Sequence, residues 1–263
     1  MIQVIFMEQS LLLSQDGLKI SCKLSEPEDV IRRVVLGVHG FGGSSKDVIQ
    51  TGLAEEMSLF SSATVRFDFP AHGESPLDSS FLTVDNCITS LLAAAKFAKE
   101  TYPRVEDLCV FATGFGAYIT LLALEQLQAL PGRIKLVIQT PAIRMDKTLL
   151  SMLGLTPEEL AARGSYTVQT ERPFTVDLSF YQDLRGHSVL ASYPMPMLIL
   201  QGERDDYIRT SDLRFFRSLN DQARLVIIPG ASHRFLEPGA WDMVLDLTRD
   251  WFEFEQVLLA DWE

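Results

Sequence analysis

Residues 108–119 read Leu108-Cys109-Val110-Phe111-Ala112-Thr113-Gly114-Phe115-Gly116-Ala117-Tyr118-Ile119, and this stretch decides the fold. A β-branched and apolar run ends at Ala112, small residues carry the chain through Gly116, and an apolar helical pattern without proline continues to Leu130. A strand, a tight turn and a helix are therefore expected in immediate succession. Ala112 and Gly116 flank the central position in the frame of a nucleophile elbow, a strained turn that lifts one side chain above the end of a parallel sheet. The lifted position is Gly114, and glycine has no side chain to present.

On either side of this turn, strand and helix patterns alternate. Residues 8 to 24 read as an antiparallel hairpin around Asp16-Gly17, a dipeptide that favours a type I′ turn. Val34 to Val38 and Ala63 to Phe67 are short, continuously apolar runs that suit buried parallel strands. Helices are expected over Lys46 to Phe60 and over Thr83 to Thr101, the second opened by Thr83 with Asn86. After a strand at Ile134 to Thr140 the rhythm breaks between Pro141 and Pro194. That segment holds a helical piece, Asp146 to Arg163, with a good start at Thr156-Pro157-Glu158-Glu159, and a mixed stretch with Tyr166, Phe174, Phe180 and Tyr181. An interruption of this length reads as a cap or lid over residues 141–194, inserted into a core made of 1–140 and 195–263. Beyond it come a strand at Met197 to Gln201, a helix at Thr210 to Leu219, a strand at Arg224 to Ile228 and a closing helix at Gly239 to Leu259. The fold class is α/β, with a mostly parallel, doubly wound sheet.

Composition narrows the function. A chain of 263 residues with 47% hydrophobic content can bury a large core, and a net charge of -12 disfavours nucleic acid or an anionic membrane as partner. Residues Met1 to Met7 are apolar but lack a basic leader segment, so the expected location is the cytoplasm. The three cysteines, Cys22, Cys87 and Cys109, have no metal-ligand spacing and read as buried apolar residues. No paired His or Cys suggests a catalytic metal, and no cofactor is expected. The glycines of Gly40 to Gly43 lack both the dinucleotide spacing and the lysine of a phosphate loop.

In open parallel sheets, ligands bind just beyond the carboxyl ends of the strands. There the sequence offers His39-Gly40-Phe41-Gly42-Gly43, the turn Asp68 to Ser75, the elbow, Gly202-Glu203-Arg204-Asp205-Asp206 and Gly230-Ala231-Ser232-His233. Acid and base follow the elbow in the order nucleophile, Asp, His.

These five pieces, in this order and over Leu11 to Phe254, make the chain resemble the α/β-hydrolase superfamily. The loop at His39, the His72-Gly73-Glu74-Ser75 turn, the threonine opening at Thr83 and the mid-sized insert are most similar to bacterial feruloyl or cinnamoyl esterases and related carboxylesterases. The resemblance implies that His233 is the general base, that Asp205 rather than the adjacent Asp206 orients it, and that the peptide N–H groups of Phe41 and Phe115 form an oxyanion hole. It implies carboxylic ester hydrolysis through an acyl-enzyme, with a small ester substrate or acid ligand as partner. The cap aromatics Tyr166, Phe174, Phe180 and Tyr181 are either simple packing or an apolar wall for an acyl group. His39 and His72 are expected to be structural, and His187 to be solvent-exposed.

The departure is at Gly114, where the family has serine. Loss of the nucleophile costs on the order of 10⁶ in rate, and neither Thr113 nor Cys109 stands where it could substitute. The chain is thus expected to be inactive or severely impaired. Two explanations stand open: a position altered to silence the enzyme or trap a ligand, or a natural pseudo-hydrolase that binds an ester, an acid or a partner without turnover. Haloalkane dehalogenase or epoxide hydrolase chemistry needs aspartate at the elbow and has no support in this sequence.

Overall fold

Continuously apolar strands need cover on both faces of a sheet, and both faces are covered here. The computed structural model describes residues 6–256. Its strands are β1 (Phe6–Gln15), β2 (Leu18–Pro27), β3 (Arg33–Val38), β4 (Ser62–Phe67), β5 (Asp107–Thr113), β6 (Arg133–Gln139), β7 (Ser165–Val168), β8 (Phe174–Asp177), β9 (Met197–Gly202) and β10 (Ala223–Ile228). The helices are α1 (Val48–Leu59), α2 (Val84–Thr101), α3 (Gly114–Leu122), α4 (Leu124–Gln128), α5 (Met145–Leu153), α6 (Pro157–Arg163), α7 (Leu178–Arg185), α8 (Thr210–Ser218) and α9 (Ala240–Phe254). Eight strands form one sheet in the order β1-β2-β4-β3-β5-β6-β9-β10. The pairings of β1 with β2 and of β2 with β4 are antiparallel, and the rest are parallel.

Strand periodicity divides the core in two. Leu108, Val110 and Ala112 of β5 join Val34, Leu36 and Tyr118 on the α2/α3 side, whereas Cys109 and Phe111 join Leu53 and Phe252 on the α1/α9 side. Chain order reverses between β3 and β5, the neighbours at the centre of the sheet, so the loops after these two strands meet at a topological switch point.

Local expectations hold where chemistry is local. Gln15 pairs with Leu18 across Asp16 (φ 48°) and Gly17 (φ 82°), as a type I′ turn requires. The Thr83 hydroxyl accepts the Asn86 N–H at 3.2 Å and caps α2.

Other expectations need correction. The helix after the elbow stops at Leu122 and restarts as α4 rather than running to Leu130. The helical piece 146–163 is two helices, parted by Gly154 in the left-handed region (φ 62°) and restarted by Pro157 behind a capping box of Thr156 and Glu159. The closing helix ends at Phe254, because Glu255 turns left-handed (φ 50°); positions 257–259 of the expected helix, like residues 1–5 of the N-terminal reading, lie outside the described residues. Between β6 and β9 the chain forms α5, α6, the β7–β8 hairpin and α7. Among the described residues no helix is long and apolar enough to cross a membrane.

Candidate active site

The elbow forms where the sequence places it. β5 ends at Thr113 in extended conformation, and Gly114 opens α3 with φ 48°, the left-handed region that an L side chain occupies only under strain. Gly116 is required for a different reason. A methyl there would overlap the carbonyl oxygen of His39 and lie 2.8 Å from that of Val38, so α3 can approach β3 only through a bare backbone. At Gly114 an added Cβ meets only the Cα of Gly40, at an ordinary 3.9 Å.

Gly40 belongs to the loop after β3. That loop closes with Gly43 N–H on Gly40 O at 3.0 Å and is held by His39, whose Nδ1–H donates to Gly40 O at 2.8 Å while Nε2 accepts the Phe69 N–H at 3.1 Å. The buried Asp68 carboxylate then ties this loop to the next one, accepting the N–H of Ser45 at 2.7 Å and of Glu74 at 3.0 Å. The peptide N–H groups of Phe41 and Phe115 make no hydrogen bond among the described residues. His72 is fully enclosed beside His39; burial, then the neighbouring imidazole, pushes its pKa down to about 3, so it is neutral. His39 and His72 thus sit as packed loop residues.

At the far side of the same sheet edge, Glu203 Oε2 accepts the Gly230 N–H at 2.8 Å and Arg204 N–H reaches Ala231 O at 2.8 Å, so the loops after β9 and β10 are fastened together. This brings His233 Nδ1 within 2.8 Å of Asp205 Oδ2. The other Asp205 oxygen accepts the N–H groups of Tyr207 (2.8 Å) and Ile208 (2.9 Å), and its side chain is inaccessible to solvent. Burial alone would raise the Asp205 pKa, but the hydrogen bond and charge of His233, with the two peptide donors, hold it below the usual value. A carboxylate kept ionised accepts only, so Nδ1 carries the proton and, in the neutral ring, Nε2 is the free acceptor. Asp206 is exposed, and the ring's carboxylate partner is Asp205. The Tyr207 ring lies 5.1 Å from the imidazole, centroid to centroid, at a T-shaped angle of 74°, a neighbour that no sequence pattern indicated.

The segment between β6 and β9 covers the Phe41 side. Phe174 and Phe180 are both 4% exposed and lie 5.2 and 6.2 Å, ring to ring, from Phe41. Tyr181 instead packs beneath Arg185, and Tyr166 on β7 is half-buried without an aromatic partner among the described residues. Arg172 donates to the carbonyls of Gly73 (3.2 Å), Ser75 and Leu77 (3.4 Å), strapping the segment to the turn that carries His72. His187 is half-buried with Nε2 3.4 Å from Asp183, not free in solvent. Cys109 is buried and its thiol is pushed up to about 12 by desolvation, as an inert core residue.

This mostly parallel sheet with its flanking helices has many counterparts among solved structures. Est1E from Butyrivibrio proteoclasticus, solved with ferulic acid bound, superposes with a TM-score of 0.78 at 22% identity, covering 95% of this chain and 100% of that one. The mouse α/β hydrolase domain-containing protein 10 gives 0.73 at 16% identity over 94% and 100%.

The chain has the α/β-hydrolase fold.

An α/β serine hydrolase from Xanthomonas campestris, described as lacking a lid, matches less closely, with a TM-score of 0.64 at 18% identity over 97% of both chains. No protein-family model matches the chain. By sequence, two Mycobacterium tuberculosis proteins named as phosphoribosyl transferases are 37% identical over 70 residues, which is 27% of this chain and only 16% of theirs. The α/β-hydrolase fold is thus shown by three-dimensional likeness over nearly the whole chain.

Proposed function

We propose that this chain carries the site of a serine-type carboxylic ester hydrolase whose nucleophile position is held by Gly114, so that covalent turnover of esters is lost or severely impaired. The observation that carries the reading is the 2.8 Å bond from His233 to the solvent-inaccessible carboxylate of Asp205, at the same sheet edge as the elbow. In that reading His233 is the base, Asp205 orients it, and the N–H groups of Phe41 and Phe115 receive the developing oxyanion. Residues 141–194 act as a cap, with Phe174 and Phe180, the aromatics packed on Phe41, in its apolar wall and a small ester or acid as ligand.

A second reading, a pseudo-hydrolase that holds its ligand without turnover, is favoured by Gly114 itself, since glycine relaxes the φ of 48°. Gly114→Ser separates the two. The first expects the variant to hydrolyse short p-nitrophenyl esters at least 10³-fold faster than the unaltered chain. No rise in a folded variant would sink that reading and leave the second.

A further inference from the structure

We propose, resting on the first reading above, that the unaltered chain hydrolyses activated esters by direct attack of water, with His233 and Asp205 acting as general base on that water and no acyl-enzyme formed. Three observations meet in this. The space where a side chain would begin over Gly114 is open, since a Cβ built there meets only Gly40 Cα, at 3.9 Å, apart from its chain neighbours. A water molecule standing in for the absent hydroxyl needs two to four polar partners. The Nε2 lone pair of His233 is the acceptor such a water needs, kept free because Asp205 holds the proton on Nδ1 at 2.8 Å. Finally, the protein's own alternative nucleophiles are turned away: Thr113 Oγ1 faces Val38 O at 3.5 Å beneath Gly40, and Cys109 is sealed in the core with its thiol pushed up to about 12.

The chemistry balances without a further reactant. Water oxygen bonds to the carbonyl carbon as its proton passes to His233 Nε2, and the carbonyl π pair moves onto oxygen, facing the N–H groups of Phe41 and Phe115. When that pair returns, the bond to the alcohol oxygen breaks and the alcohol leaves with the proton from His233. The products are one acid and one alcohol, and the imidazole is regenerated neutral.

The route has a kinetic signature distinct from the serine mechanism. With p-nitrophenyl acetate and the full chain, product release should be linear from the first turnover, and an alkyl fluorophosphonate should leave the protein mass unchanged. His233→Ala, with its fold checked by circular dichroism, should lose at least 10²-fold of the rate above buffer, the lower end of what a general base contributes. A burst, a covalent adduct on the unaltered chain, or a rate indifferent to His233→Ala overturns the proposal. Gly114→Ser run in parallel keeps the two readings apart. If it labels and turns over while the unaltered chain has no His233-dependent rate, the water route alone fails; if it neither labels nor turns over, the reading beneath it fails.

Discussion

The two ends of the candidate site are made of different material. At β9 and β10 the chemistry resides in side chains: a buried carboxylate, an imidazole and the 2.8 Å bond between them. At β5 it resides in backbone: a left-handed turn at Gly114, a close approach at Gly116 and peptide N–H groups at Phe41 and Phe115. Backbone geometry is indifferent to which side chain it carries, so the elbow keeps its shape although it presents nothing. The Asp–His end has no such tolerance, because changing one atom of either partner changes the proton's place.

That contrast is attacked most directly from the side-chain end. In a Gly114→Ser background, Asp205→Asn should lower kcat by about 10⁴, the cost of losing the oriented tautomer in a Ser-His-Asp site, while Asp206→Asn should leave it unchanged. A loss below tenfold for Asp205→Asn, measured with p-nitrophenyl acetate, would mean that the buried carboxylate only anchors the loop through Tyr207 and Ile208.

The backbone end has its own titratable group. His72 is neutral in the fold down to about pH 3 but protonates near its ordinary 6.5 when unfolded. Between those values the unfolded chain binds the extra proton, so stability is complete above pH 6.5, falls as pH drops toward 3 and levels off below it. A gap of that size corresponds to about 5 kcal/mol at 1.36 kcal/mol per pH unit. Urea midpoints followed from pH 7 to pH 4 should show the decline, and His72→Gln should flatten it; an unchanged slope would assign acid sensitivity to other groups.

How much of this was readable beforehand follows the range of each interaction. The Asp16-Gly17 turn, the Thr83 cap and the elbow frame depend on residues within five positions of one another, and a sequence displays those directly. The helix start at Thr156-Pro157-Glu158-Glu159 is equally local and legible, whereas the stop at Gly154 just before it lies hidden inside an apparent single helix. The break at Ala123 has neither glycine nor proline to announce it. Arg172 reaches the carbonyls of Gly73, Ser75 and Leu77 nearly a hundred positions away, and such a strap leaves no periodic trace. The pairing of His233 with Asp205 rather than Asp206 came from a family resemblance, whereas the physical reason is that Asp205 points inward to two peptide donors and Asp206 outward to solvent.

The smallest expected effect tests whether the elbow is a strained frame. Alanine at 114 meets no steric neighbour closer than 3.9 Å, so its only cost is holding a Cβ at φ 48°. That conformation costs an L residue about 1 kcal/mol. Gly114→Ala should therefore lower stability by about 1 kcal/mol in urea unfolding, and Gly114→Ser by a similar amount while gaining activity. Alanine would also claim part of the space over the turn, so any His233-dependent ester hydrolysis should fall in the same variant. If both substitutions are neutral, the turn imposes no strain on a side chain, and glycine at this position has no conformational advantage over serine.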